Sequence, residues 1–282
     1  MRGKLPCLLG HTTSLVVAFW LVGWMVVLVN ESRGDSDRRD PPQAPATRTN
    51  SVLDANGLLE RELKAVLTDL GVPVQHIPPE FLENVRRKVR LYETRDRAEM
   101  ERVLILRRHQ FDAIRQQLAN ADLPPDVAFL PLIESHFQSG KVSPDDNAGL
   151  WQFTPDTARR NALKVNAEID ERLDPHKSTQ AACRYLNRLR QEMGVEGSFM
   201  LVLAAYNMGP GRLEQRTRQM EDPHQRCDFW ALYVAHVLPA VTRNHLARLM
   251  AAIVIGRNPQ GFHFEAAVPV NLESLNAAVQ RR

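Results

Sequence analysis

Apolar positions recur at helical spacing through most of this chain, and runs that alternate every second residue are almost missing. From Val52 to Leu70 large apolar side chains fall on one face of a helix, which stops at Gly71-Val72-Pro73. Pro78 and Pro79 open a long amphipathic stretch, Glu80 to Ala121, ended by Leu123-Pro124-Pro125-Asp126. Thr154-Pro155 and Asp174-Pro175 each read as a capping side chain followed by proline at the first helical position. After Asp174, residues Ala182, Tyr185, Leu186, Leu189 and Met193 make one stripe, and Gly194 closes the helix. Two segments, Asp126–Phe137 and Ser198–Asn207, are apolar nearly all round and therefore read as buried helices. A short strand pair near Phe262–Val270 is the one exception to a mostly α architecture. No repeat of solenoid length occurs.

The N-terminus follows other rules. Arg2 and Lys4 precede Leu15 to Val29, an apolar run without a charged or polar side chain. Its length falls between a signal-peptide core and a full membrane span. Leu5–Gly10 is apolar as well, and no small-x-small cleavage site closes the run at Val29-Asn30-Glu31, which favours an uncleaved signal anchor. A cleaved signal is the alternative. Either way, positive charge ahead of the run keeps the N-terminus in the cytoplasm and exports the body. Residues 31–50 are charged, Pro-containing and poor in large apolar groups, the composition of a disordered linker. The expected organisation is therefore a signal anchor or signal peptide at 1–30, a linker at 31–50 and a helical N-terminal extension at 51–122. A helical main domain at 123–264, where the candidate chemistry lies, and a C-terminal tail at 265–282 complete it.

Charge narrows the function. Six of the 36 basic and four of the 33 acidic residues lie before residue 51, so the body is close to neutral and lacks the basic footprint of a nucleic-acid binder. Three cysteines, at 7, 183 and 227, make no disulfide scaffold. Cys183 and Cys227 read as two buried thiols in preference to a bridge. The nine histidines show no HExxH spacing, and there is no CxxC pair, Walker loop or dinucleotide fingerprint, so no metal and no cofactor is expected.

Candidate chemistry begins with Glu134, a carboxylate standing where the Asp126–Phe137 helix would carry a core residue. Burial of an unpaired charge is costly and favours the neutral acid. A glutamic acid in an apolar pocket is a general acid suited to neutral pH. The alternative is a structural Glu paired with an arginine or capping a backbone turn. Downstream, Ser143 to Phe153 is a Gly-hinged loop with an aromatic and an amide, and Ser198–Asn207 ends in Tyr206 and Asn207 before Gly209-Pro210-Gly211. A phenol and an amide there are placed to hydrogen-bond a polar ligand, and they are also ordinary helix-end residues.

Taken in order, Glu134-Ser135-x-Phe137, Ser143 through Gly149-Leu150-Trp151-Gln152-Phe153, Thr157–Arg160, Asp174-Pro175, Ala205-Tyr206-Asn207 and Leu238–Asn244 resemble the lytic transglycosylases of bacterial cell walls. The resemblance spans roughly residues 78–264 and is greatest to the membrane-bound lytic murein transglycosylase D class, whose SLT-type fold is similar to goose-type lysozyme. It implies cleavage of the MurNAc–GlcNAc β-1,4 bond of peptidoglycan, with a 1,6-anhydroMurNAc end as product. It implies Glu134 as general acid and then base, and Ser135, Ser143, Trp151, Gln152, Tyr206 and Asn207 as substrate-site residues. Among these, Ser135 would support the Glu134 segment and Trp151 would meet a sugar face. The implied partners are glycan strands, and the inner membrane through residues 15–29.

The chain departs from that pattern at Asp145-Asp146-Asn147, where small residues are usual, and at Val241 and His245, which replace a Glu and a Tyr. Two alternatives follow: a lysozyme-like hydrolase in which Asp145 or Asp146 positions a water, and a weakened peptidoglycan-binding scaffold. A lone histidine on an apolar helix face is ordinarily a satisfied core residue.

Overall fold

The computed structural model describes residues 49–106, 108–194 and 198–264. The apolar segment at 15–29, the linker up to residue 48 and the tail lie outside them, and residues 49 and 50 begin α1. The described residues are mostly helical. In chain order the helices are α1 (Thr49–Asp69), α2 (Pro79–Glu93), α3 (Arg97–Glu101), α4 (Arg108–Asn120), α5 (Leu130–Ser135) and α6 (Pro155–Arg160). They continue as α7 (Pro175–Met193), α8 (Phe199–Met208), α9 (Pro210–Thr217), α10 (Phe229–Val234) and α11 (Ala240–Arg257). Among the described residues no helix is long and apolar enough to cross a membrane.

Helix starts follow the side chains named above. Thr154 Oγ1 accepts from the Thr157 amide, and the Asp174 carboxylate accepts from the amides of His176 and Lys177. Each satisfies donors that the first helical turn leaves open. Gly194, with φ +61°, ends α7, and the Ala182–Met193 stripe is buried as its spacing requires.

The core is built around α8 and α11. Phe199 to Ala205 and Leu249 to Ile255 are unbroken buried runs, so each helix is surrounded by others. α11 packs on α2, α1 and α8, and its C-terminal part meets the Pro125–Phe129 turn. A Cβ on Gly256 would stand 1.9 Å from the Phe129 ring. Only the missing side chain allows that approach.

The Glu80–Ala121 stretch is several helices, not one. The chain breaks at Thr94–Asp96: Thr94 Oγ1 donates back to the Arg90 carbonyl, and the Asp96 amide bonds the Leu91 carbonyl. A π-type turn follows at Arg102–Leu106. Tyr92, Met100 and Val103 are all buried, so the amphipathic period carries through the break and conceals it. The strand pair near 262–270 is absent from its described part, where Gln260–Phe262 is a 3-10 turn. Beta structure among the described residues amounts to isolated bridges such as Val142–Ala148 and Ala148–Phe153. Cys183 is a free buried thiol, so it forms no bridge to Cys227, and Cys227 is only half-buried.

Candidate active site

Glu134 stands at the end of α5, a helix of six residues entered from the Pro125–Phe129 3-10 turn. The helix stops directly after it because His136 and Phe137 both take left-handed backbone, φ +56° and +57°. Such conformations are uncommon in residues with a Cβ and persist only when their surroundings hold them. Here Phe137 is fully buried and His136 Nδ1 meets Glu99 Oε1 at 2.5 Å. On the preceding turn Ser135 is fully buried, its hydroxyl bonded to the carbonyls of Pro131 and Leu150. Lys141 Nζ donates to the Glu134 backbone carbonyl at 2.9 Å. The carboxyl therefore projects from a braced stub at a cleft edge.

That cleft has a volume of about 310 Å³. Glu134 lines it with Asn147, Gln152, Thr154, Tyr206 and Asn207, and the rings of Phe153 and Tyr185 and the Thr157 side chain complete the wall. Glu134 is the one carboxylate among these residues. Its Oε1 lies 2.9 Å from His245 Nε2 on α11, with 18% of the Glu134 side chain and 11% of the His245 side chain exposed. Its partner is thus an imidazole, not the arginine of a structural pair, and it opens onto a groove. Its Oε2 has no protein partner among the described residues.

The cleft floor is the 143–153 loop. Ser143 Oγ accepts from the Asn147 amide, and Ala148 and Phe153 exchange backbone hydrogen bonds. Gly149 has φ +80°, and a Cβ there would fall 1.8 Å from the Arg172 carbonyl oxygen. Gln152 Nε2 donates to the carbonyls of Gly149 and Lys141 at 2.9 and 3.3 Å, which leaves Oε1 for a ligand. Tyr206 donates its hydroxyl to the Trp151 carbonyl at 2.6 Å. Burial, reinforced by the nearby Glu134 charge, holds the Tyr206 hydroxyl well above its ordinary pKa, so it stays a donor. Asn207 Oδ1 accepts from Thr242 Oγ1 at 2.8 Å, so its amide N–H groups remain to be used.

Three of the residues taken from the resemblance sit elsewhere. Trp151 is fully buried with its indole N–H on Thr179 Oγ1, so it has no face to offer a sugar; it packs the loop from below. Ser135 is equally buried and braces α5, and Ser143 folds the loop outside the cleft lining. Asp145 and Asp146 are exposed and do not line the cleft. The Asp146 carboxylate is engaged by Arg172 Nη2 at 2.9 Å, which removes the reason to assign it a water. Among the described residues no group of three His, Cys, Asp or Glu side chains is arranged to hold a metal.

Arg172 is the residue that sequence reading missed. Its guanidinium forks onto Asp170 and reaches the carbonyls of Asp146 and Phe153, tying both ends of the loop together. The Glu171-Arg172-Leu173 turn before Asp174 gives no pattern that would single out an arginine; Asp170-x-Arg172 reads as surface charge.

Residues 112–228 match the family model described as the transglycosylase SLT domain. The match contains Glu134, the loop, Tyr206 and Asn207, and ends before α11. Over 149 residues the chain is 31% identical to membrane-bound lytic murein transglycosylase D of Escherichia coli (strain K12), covering 53% of this chain and 32% of that protein. It is 30% identical over 114 residues to membrane-bound lytic murein transglycosylase F of Shewanella halifaxensis, covering 39% of this chain and 22% of that protein. The chain thus spans a third or less of the length of these two relatives. A solved structure, an inactive mutant of lytic transglycosylase Slt from Pseudomonas aeruginosa, overlaps at a TM-score of 0.45 and 18% identity, over 77% of this chain and 44% of that one.

Proposed function

We propose that the protein is a lytic transglycosylase that cuts the MurNAc–GlcNAc β-1,4 bond of peptidoglycan. The observation that carries this reading is a lone carboxylate, Glu134, at the wall of a polar cleft of about 310 Å³, within the SLT domain. One carboxylate suffices for an intramolecular displacement, whereas a two-carboxylate hydrolase needs a second placed across the bond.

Glu134 begins protonated and gives its proton to the glycosidic oxygen as the C1–O bond breaks. The resulting carboxylate, beside the positively charged C1, then takes the proton of the MurNAc C6 hydroxyl. O6 closes onto C1, giving the 1,6-anhydro ring and returning Glu134 to its acid form. No water is consumed. Gln152 Oε1, the Asn207 amide and the Tyr206 side chain would hold the saccharide, while Ser135, Ser143 and Trp151 keep the cleft wall in place. The SLT domain is read as lysozyme-like, residues 15–29 of the chain as an inner-membrane anchor, and the substrate as the glycan strands of the periplasm.

Mass spectrometry of soluble products from purified sacculi tests the reaction. Anhydro-ended muropeptides are expected from the native chain, with a loss of about 10²–10⁴-fold in Glu134→Gln at unchanged helical content. Reducing MurNAc ends, or full activity in Glu134→Gln, would overturn the proposal. Binding to sacculi without product would leave a peptidoglycan-binding scaffold in its place.

A further inference from the structure

The sequence leaves His245 as a departure ordinarily read as a satisfied core residue, yet its ring touches the carboxyl on which the reaction depends. We propose that His245 is a positioning residue that makes Glu134 one half of a coupled pair, so that activity follows the protonation of the pair and not of a lone carboxyl. This rests on the transglycosylase reading and gives it a pH dependence particular to this chain.

The geometry carries the inference. His245 Nε2 and Glu134 Oε1 are 2.9 Å apart, both side chains are mostly buried, and His245 Nδ1 is buried with no hydrogen-bond partner. When two protons are on the pair, one occupies Nδ1 and the other lies between Nε2 and Oε1. On Nε2 it makes an imidazolium facing a carboxylate; on Oε1 it makes a neutral acid facing a neutral ring. Nδ1–H meets no acceptor in either form, so nothing on the far side of the ring offsets the charge of an imidazolium. The arrangement without buried charge is favoured, and in it Glu134 holds the proton it must donate. Loss of one proton leaves the Nε2–H tautomer donating to a carboxylate, a state fit for the base step but not for the acid step. Two groups this close titrate in steps that belong to the pair.

The surroundings do not supply a competing proton. On α11, Arg248 is engaged with Tyr92, Asp96 and Glu99. α2 contributes Arg87, which donates to Asn84, and Lys88, whose ammonium is disfavoured first by burial and then by Arg87 and Arg248. α3 contributes Glu99, bound also by His136. From α8, Tyr206 remains a neutral phenol, and Lys141 faces the Glu134 carbonyl, not its carboxyl.

The test uses the full-length chain in detergent, with sacculi at saturation, across pH 4 to 8. Reference glutamate and histidine side chains titrate about 2 pH units apart. The falling limb of the native rate profile at rising pH is therefore expected to move toward acid by about one unit or more in His245→Gln. His245→Tyr, which keeps a donor but does not titrate in this range, is expected to recover the rate at acid pH and to keep the displaced limb. Circular dichroism melts check that both variants fold. Independently of turnover, the ¹⁵N-imidazole signal absent from His245→Gln is expected to shift its titration midpoint in Glu134→Gln. Superimposable rate profiles, or an imidazole midpoint indifferent to Glu134→Gln, would overturn the proposal. A coupled imidazole in a chain that yields no anhydro product would uphold the pair and sink the transglycosylase reading alone.

Discussion

Removal of Arg172 tests whether one side chain holds the cleft floor through its hydrogen bonds. Its side chain is 4% exposed. Nε and Nη2 reach the two Asp170 oxygens at 2.9 and 2.7 Å, Nη2 also reaches Asp146 Oδ1 at 2.9 Å, and Nη1 reaches the carbonyls of Asp146 and Phe153 at 2.5 and 3.1 Å. Removing one member of a buried ion pair costs about 3–5 kcal/mol, and each carbonyl stripped of a donor adds about 1 kcal/mol. Asp170 is 25% exposed and Asp146 60% exposed, so water recovers much of what the carboxylates lose. The net expectation for Arg172→Ala is about 3 kcal/mol, or roughly 9 °C in Tm for a body of this size. Arg172→Lys keeps the charge without the planar fork and is expected to lose about 2 kcal/mol.

Urea titration and thermal melts of the two variants measure this, and the pH dependence supplies the sign. Asp170 is held below the usual carboxylate range, first by its hydrogen bonds from the Arg172 side chain, against some opposing burial, then by the Arg172 amide and charge. A depressed native value stabilises the fold above the ordinary aspartate value near 3.9, and that contribution is lost as pH falls through the native one. The gap between native chain and Arg172→Ala is therefore widest above about pH 4 and narrows below it. A loss under about 1 kcal/mol at neutral pH, or a gap that widens in acid, would refute the account of Arg172 as the tie across the loop.

Two further substitutions probe the packing that places Glu134. Gly256→Ala brings a methyl group into the Phe129 ring at 1.9 Å and is expected to lower stability by about 1–3 kcal/mol in denaturant titration, since the ring sits directly before α5 and cannot yield freely. Tyr206→Phe removes the hydrogen bond to the Trp151 carbonyl; a loss of about 1 kcal/mol is expected by thermal melt, together with a rise in KM for sacculi if the phenol also meets the saccharide.

What the sequence disclosed and what it hid follow from the range of the interactions. The caps at Thr154 and Asp174, the α7 stripe and the two all-apolar helices are local patterns, and each is legible because its cause lies within about four residues. Glu134 was legible for a related reason: a carboxylate interrupting an apolar run is conspicuous. The apolar run did not disclose the backbone around it. The paired left-handed residues depend on Glu99, which is distant in sequence, and on the burial of Phe137, which the local pattern does not dictate. Trp151 was given a sugar contact by the resemblance, whereas it is the loop's anchor to α7 through Thr179. Arg172 was invisible because its partners at 146 and 153 are distant in sequence.

The position of His245 ties the N-terminal helices to the chemistry. α11 lies beyond the SLT match, and its first turns are held from α2: Glu80 bonds Arg243, and Asn84 Nδ2 reaches the Arg243 carbonyl at 3.5 Å. Farther along, Tyr92, Asp96 and Glu99 take Arg248, while Arg257 pairs with Asp69 of α1 and with Asp126 at the entry to the Glu134 segment. His245 lies between the two clamps, so the rotation of α11 that sets its ring against Glu134 is fixed by residues 69–99. Thr242, three positions earlier, uses the same rotation to reach Asn207 in the cleft. Helices α1 to α3 are thus part of the frame that holds two cleft contacts. An SLT segment cut at 112–228 would keep the carboxyl, and lose the imidazole that faces it.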